Sequence, residues 1–175
     1  GTDANITLPY KAEVAPADYK ALEISVKGCK GGHSGIQIVC QRANANKLLF
    51  RLLRAVEKQV DMKIASVDGG GLRNAIPRES VAVVMVKAEA VATVKHLAEE
   101  FEKIFVAEFA AVEDSIAVSV VDAAAPQSVM PTDVAHRLMA AVVACPDGVE
   151  KMSLAMEGLV QTSNNLARVV SDNNV

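Results

Sequence analysis

The chain has 175 residues, 51% of them hydrophobic and 22% charged, which is material for one domain with a sizeable core or one domain with an appendage. A net charge of −3 argues against a nucleic-acid or anionic-membrane partner, since either requires a basic surface. No apolar stretch approaches the roughly 20 residues of a membrane span. Only 3% of the residues are aromatic and Trp is absent, so the expected core is aliphatic. The polar opening Gly1–Asn5 carries no signal-peptide pattern. Cys29, Cys40 and Cys145, an odd number at irregular spacing, read as buried free thiols of a cytoplasmic protein rather than a disulfide framework.

Leu22, Ile24 and Val26 alternate with Glu23, Ser25 and Lys27, the pattern of a half-buried strand. A glycine-rich bend follows, Gly31-Gly32-His33-Ser34-Gly35. Leu48, Leu49, Leu52, Leu53 and Val56 then recur at helical spacing, with Asn44 or Asn46 available as the N-cap and an end near Val60. Met62–Val67 reads as a short strand closed by Asp68-Gly69-Gly70-Gly71. Beyond Pro77, residues 81–86 are apolar on both faces, which predicts a central strand. A second helix carries Val94, Leu97, Phe101, Ile104, Phe105 and Phe109 on one side, and Ile116, Val118 and Val120 make a fourth strand. The order is β-α-β-β-α-β over about residues 18–122. That order predicts an α+β two-layer sandwich of the split βαβ kind, an antiparallel sheet with helices on one face. A linker over 123–130 leads to an appended helix at 131–145, stopped by Pro146-Asp147-Gly148, and a weak strand at Gly158–Thr162 lies in the tail that runs to Val175. In this topology the strand at Met62–Val67 is expected at a sheet edge, where a second copy could pair with it beside the first helix.

His33 is the most reactive-looking side chain. Its imidazole could ligate metal, act as a general base, or donate a hydrogen bond to a developing oxyanion, and the flanking glycines permit positive φ and close approach of a ligand. A metal site needs three or four ligands. Cys29 and Cys40 flank His33, but no CxxC or HxxxH spacing exists, while His96 and His136 read as solvent-facing helix residues. The Asp68–Gly71 run is followed by Pro77 and a strand, not by the helix N-terminus a phosphate cradle uses. It reads instead as a flexible connection delivering Arg73, Asn74 and Arg78 to the sheet end. Asn74 offers a donor and an acceptor, and either arginine could pair with a carboxylate. All four Phe fall on helices, so the base-stacking strands of an RNA-binding split βαβ domain are missing.

Four motifs carry a resemblance. Gly31–Ile36, Arg42-Ala43-Asn44-Ala45-Asn46-Lys47, Gly70-Gly71-Leu72-Arg73-Asn74-Ala75-Ile76-Pro77-Arg78-Glu79 and Gly158–Leu166 occur in the same order as in the aminoacyl-histidine dipeptidases. This is the Xaa-His, carnosine-cleaving branch of the zinc aminopeptidase and carboxypeptidase family, and the chain resembles the lid, or dimerisation, domain of those enzymes throughout residues 1–175. The resemblance implies a parent whose separate catalytic domain holds two zinc ions, a domain absent from this chain, and a lid that forms homodimers and closes over a dipeptide. It implies that His33 is the catalytic lid residue stabilising the developing oxyanion and that Asn74 binds substrate. It assigns no metal ligand to this chain. A lid arginine for the substrate carboxylate is also implied, without a position. The resulting expectation is a cytoplasmic dipeptidase lid, inactive alone. The alternative is a stand-alone split βαβ sensor or interaction domain that binds a small metabolite or dimerises.

Overall fold

The computed structural model describes residues 1–171. After a short strand β1 (Glu13–Val14), the alternation at 22–26 becomes β2 (Tyr19–Lys27), in which Leu22, Ile24 and Val26 are buried. A two-residue strand β3 (Gly32–His33) precedes α1 (Ala45–Glu57). The cap is Asn44, whose side chain accepts from the backbone N–H groups of Asn46 (3.0 Å) and Lys47 (3.4 Å), satisfying donors that the first helical turn leaves open. Next come β4 (Met62–Gly69), the two-residue β5 (Ala75–Ile76) and β6 (Ser80–Lys87). Then α2 (Val91–Glu108) and β7 (Ala117–Asp122) complete the predicted β-α-β-β-α-β order.

The main sheet pairs β4 with β6, β6 with β2 and β2 with β7, all antiparallel, so β6 is central as its two apolar faces require. Ala82, Val84 and Val86 of β6 join the main core with Leu49, Phe50 and Leu53 of α1, whereas Met85 packs on the opposite face. That opposite face is not bare. β8 (Ser128–Val129), inside the expected linker, pairs with β1, and Val129 clusters there with Ala65 and Met85. On α2 the buried stripe is Val94, Leu97, Ala98 and Phe105. Ile104, expected in the stripe, is 46% exposed, because at 3.6 residues per turn it falls roughly 80° from the stripe's centre. Phe101 and Phe105 meet edge to face, with Arg51 stacked 5.0 Å over the Phe105 ring.

The appended helix is α3 (Thr132–Ala144), which buries Val134, Ala135, Met139 and Val142 beside α1. Lys47 Nζ donates to the carbonyls of Val142, Val143 and Cys145, placing a cation at the end of α3 where the helix dipole is negative. Behind it, β9 (Gly148–Met152) and β10 (Val160–Asn164) form a hairpin, so the weak tail strand lies two residues later than expected and has a partner that the sequence reading missed. Residues 172–175 of the expected tail lie outside the described residues.

Two expectations are corrected. The chain adds a fifth strand, β11 (Val169–Val170), outside β4, pairing Val169 with Gly69 and Val170 with Asp68. Ser171 N–H then donates to Val67 O (2.9 Å), Ser171 Oγ accepts from Val67 N–H (2.8 Å), and Met130 N–H reaches Ile64 O (2.8 Å). β4 is therefore not the outermost strand at its C-terminal end, and within Met62–Val67 this chain's own backbone and Ser171 take Val67 and the Ile64 carbonyl. The thiols are also unequal: Cys29 is buried, Cys145 is half-buried and Cys40 is exposed.

Candidate functional site

Neither strand of the site has enough residues to show a hydrophobic period, so their pairing comes from the turns around them. Gly31 and Gly32 take φ of 60° and 138°, conformations that glycine supplies without a Cβ clash. They turn the chain so that β3 pairs antiparallel with β5, Gly32 opposite Ile76 and His33 opposite Ala75. Ser34 N–H donates to Asn74 O at 2.9 Å. The two predicted site residues, 41 positions apart in sequence, are thus brought together, His33 on β3 and Asn74 in the turn that leads into β5.

His33 is exposed, and its backbone is pinned twice by Gln37. The His33 N–H donates to Gln37 Oε1 (2.9 Å) and the His33 carbonyl accepts from Gln37 N–H (2.8 Å). The ring's Nδ1 accepts from Gly35 N–H at 3.0 Å. A nitrogen that accepts carries no proton, so in the neutral ring the hydrogen sits on Nε2, which becomes the donor. Of the three chemistries open to this side chain, hydrogen-bond donation through Nε2 is the one this arrangement prepares.

His33, Gln37, Asn74, Arg78 and Glu79 line a groove of about 850 Å³. Among the described residues the Asn74 amide has no hydrogen-bond partner and Arg78 no ion pair, whereas Arg73 is paired with Asp3 at 2.7 Å. In the glycine run behind Asn74, Gly69 and Gly70 are packed while Gly71 is exposed with open space around it. A Cβ on Gly70, whose φ is 75°, would stand 1.9 Å from the Ala167 carbonyl oxygen. Sequence reasoning also missed two braces. Arg42 donates to Gly31 O (2.6 Å) and Asn165 Nδ2 donates to Ala75 O (2.9 Å), tying the groove to the motif at Gly158–Leu166. That motif was visible, but no period or spacing points to a contact over 90 residues.

The other histidines stand apart. His96 approaches Glu100 at 3.4 Å, and His136 lies 3.0 Å from Glu57, both with exposed rings. Among the described residues no three His, Cys, Asp or Glu side chains converge to hold a metal ion. The described residues therefore do not fit a resident zinc.

Residues 24–113 match the peptidase dimerisation domain, and the chain belongs to that family. It is 35% identical over 176 residues to the cytosol non-specific dipeptidase of Escherichia coli (strain K12), a match covering all of this chain and 36% of that protein. In structure it is similar to the aminoacylhistidine dipeptidase of Vibrio alginolyticus, with a TM-score of 0.90 and 34% identity over 94% of this chain and 34% of that one. The chain thus spans about a third of the length of each of these two relatives.

Proposed function

We propose that this domain is the substrate-clamping lid of a zinc-dependent dipeptidase that hydrolyses Xaa-His dipeptides in the cytoplasm. The carrying observation is the exposed His33 ring, with Nδ1 engaged by Gly35 and Nε2–H left to donate, in a groove shared with the unpartnered Asn74 amide. An Nε2–H aimed at the substrate carbonyl gains strength as that oxygen becomes negative, so it stabilises the transition state more than the bound peptide. Asn74 supplies one donor and one acceptor for the peptide unit itself. In this reading the two zinc ions and the general base belong to a catalytic domain of the same polypeptide, and a homodimer brings lids and catalytic domains together. The relatives' names, and a match to about a third of their length, support a lid of this kind.

In the full-length parent, His33→Ala is expected to lower kcat by about two to three orders of magnitude with zinc content unchanged. Full activity in that variant removes His33 from the mechanism. The 175-residue chain, given zinc and an Xaa-His dipeptide, is expected to release no histidine above buffer; clear turnover overturns the division of labour.

A further inference from the structure

The segment that carries His33 is a loop whose two ends meet at one carboxylate. Glu113, only 7% exposed, accepts from Lys30 N–H through Oε2 (2.7 Å) and from Ala43 N–H through Oε1 (3.0 Å). Residues 30 and 43 bracket the whole bend, with its glycines, His33, Gln37 and a short 3₁₀ turn at Ile38–Cys40. Compact loops of this length with adjacent ends keep their shape through their own contacts, and here Arg42 makes one by donating to Gly31 O (2.6 Å). A second closure comes from outside, from the segment between α2 and β7.

Three further contacts converge on the same junction. The Lys30 ammonium pairs with Asp114 at 2.8 Å, and Cys29 N–H donates to Arg78 O at 3.2 Å. The backbone of Gly28 lies against Ser115, so closely that a Cβ would stand 1.9 Å from the Ser115 carbonyl oxygen. A buried carboxylate is expensive unless its oxygens are bonded, and two backbone donors meet that demand. Neither the pairing of β3 with β5 nor the cap of α1 explains why a charge is buried here. Holding two chain segments at one separation does.

We propose that Glu113 is a positioning residue: its two oxygens close the base of the 30–43 loop and so set where the His33 imidazole stands. The closure follows from the geometry alone, and its catalytic meaning rests on the lid reading above. Glutamine at this position keeps one acceptor and turns a donor towards the other N–H, so it supports only one of the two bonds. Aspartate is one methylene shorter and cannot span both segments.

The test uses the 15N-labelled 175-residue chain. In Glu113→Gln, amide exchange at Lys30 or Ala43 is expected to accelerate about ten- to a hundredfold, the loss appropriate to a hydrogen bond to a charged group. Amides of β2 and α1 should keep their rates, and the His33 ring nitrogens should lose the separated shifts of a single Nε2–H tautomer. Asp114→Asn, which removes only the exposed ion pair, should change neither. Unchanged exchange together with an unchanged His33 signature in Glu113→Gln overturns the proposal. Should that variant unfold, native-state exchange of the unmodified chain decides: one shared carboxylate requires Lys30 and Ala43 to open together with one denaturant dependence, and separate openings overturn it. No substrate is present, so failure here leaves the lid reading standing, whereas a fully active His33→Ala enzyme removes that reading and leaves the closure standing.

Discussion

Cys29 and Cys40 lie on opposite sides of the same histidine and meet different surroundings. Burial, with the nearby Glu113 charge, pushes the Cys29 thiol up to about 12, so at neutral pH it carries almost no thiolate and packs as a small apolar group. Cys40, at the end of the 3₁₀ turn, is open to solvent. Brief treatment of the folded chain with iodoacetamide is expected to label Cys40 and spare Cys29, as read by peptide mass spectrometry; equal labelling would mean that the base of the His33 loop opens readily. The same residue-scale logic governs His33 itself. Its useful nitrogen is decided by one backbone N–H two residues on, a contact that no inventory of residue types reveals.

Elements that bury a stripe were legible. β2, α1, β4, β6, α2 and β7 each run long enough for the alternation of a strand or the three-to-four spacing of a helix to repeat, and the sheet order follows from their sequence. Two-residue strands have no period to show, which is why β1, β3, β5, β8 and β11 were unreadable although one such pair builds the candidate site. Glu113 was hidden for a related reason. Glu113-Asp114-Ser115 looks like a solvated turn until backbone donors 83 and 70 residues away arrive to bury it.

A similar long-range network holds the start of α1. Asp147 Oδ1 accepts from Asn44 Nδ2 and from Leu166 N–H, both at 2.8 Å, yet desolvation raises this carboxyl above its ordinary range, with those two bonds and Lys47 opposing. A raised carboxyl binds its proton more tightly folded than unfolded. Its contribution is therefore largest below the usual carboxylate range and is lost as pH climbs through the raised value. Asp147→Asn keeps an oxygen acceptor and carries no charge. It is expected to melt higher than the unmodified chain at pH 7, with the gap shrinking towards pH 3; a lower Tm at pH 7 would show that the carboxylate's charge stabilises the junction.

For the molecule as a whole, the treatment of sheet edges decides how copies can meet. On the β4 side, Val169 pairs with Gly69, Ser171 holds Val67 and Met130 takes the Ile64 carbonyl. On the β7 side, the Glu102 carboxylate accepts the Val118 N–H at 2.6 Å, placing a charge at the edge where another strand would have to dock. Continuation of the sheet by a second copy is thus hindered at Ile64 and residues 67–69 on one side and at Val118 on the other. Ser171→Pro removes the N–H and the hydroxyl that hold Val67, so it is expected to speed Val67 amide exchange and to promote concentration-dependent self-association in sedimentation. A variant that stays as dispersed as the unmodified chain, with Val67 still protected, would show that β11 is not what guards this edge.

The lacing of β3 to β5 has a consequence for motion. His33 sits on β3 and Asn74 in the turn entering its partner β5, tied by the Ser34 N–H to Asn74 O bond. In the lid reading proposed above, a swing of the domain would therefore carry both donors as a single jaw with fixed teeth. On that reading, opening and closing would alter the gap to the opposing jaw and not the spacing of the teeth.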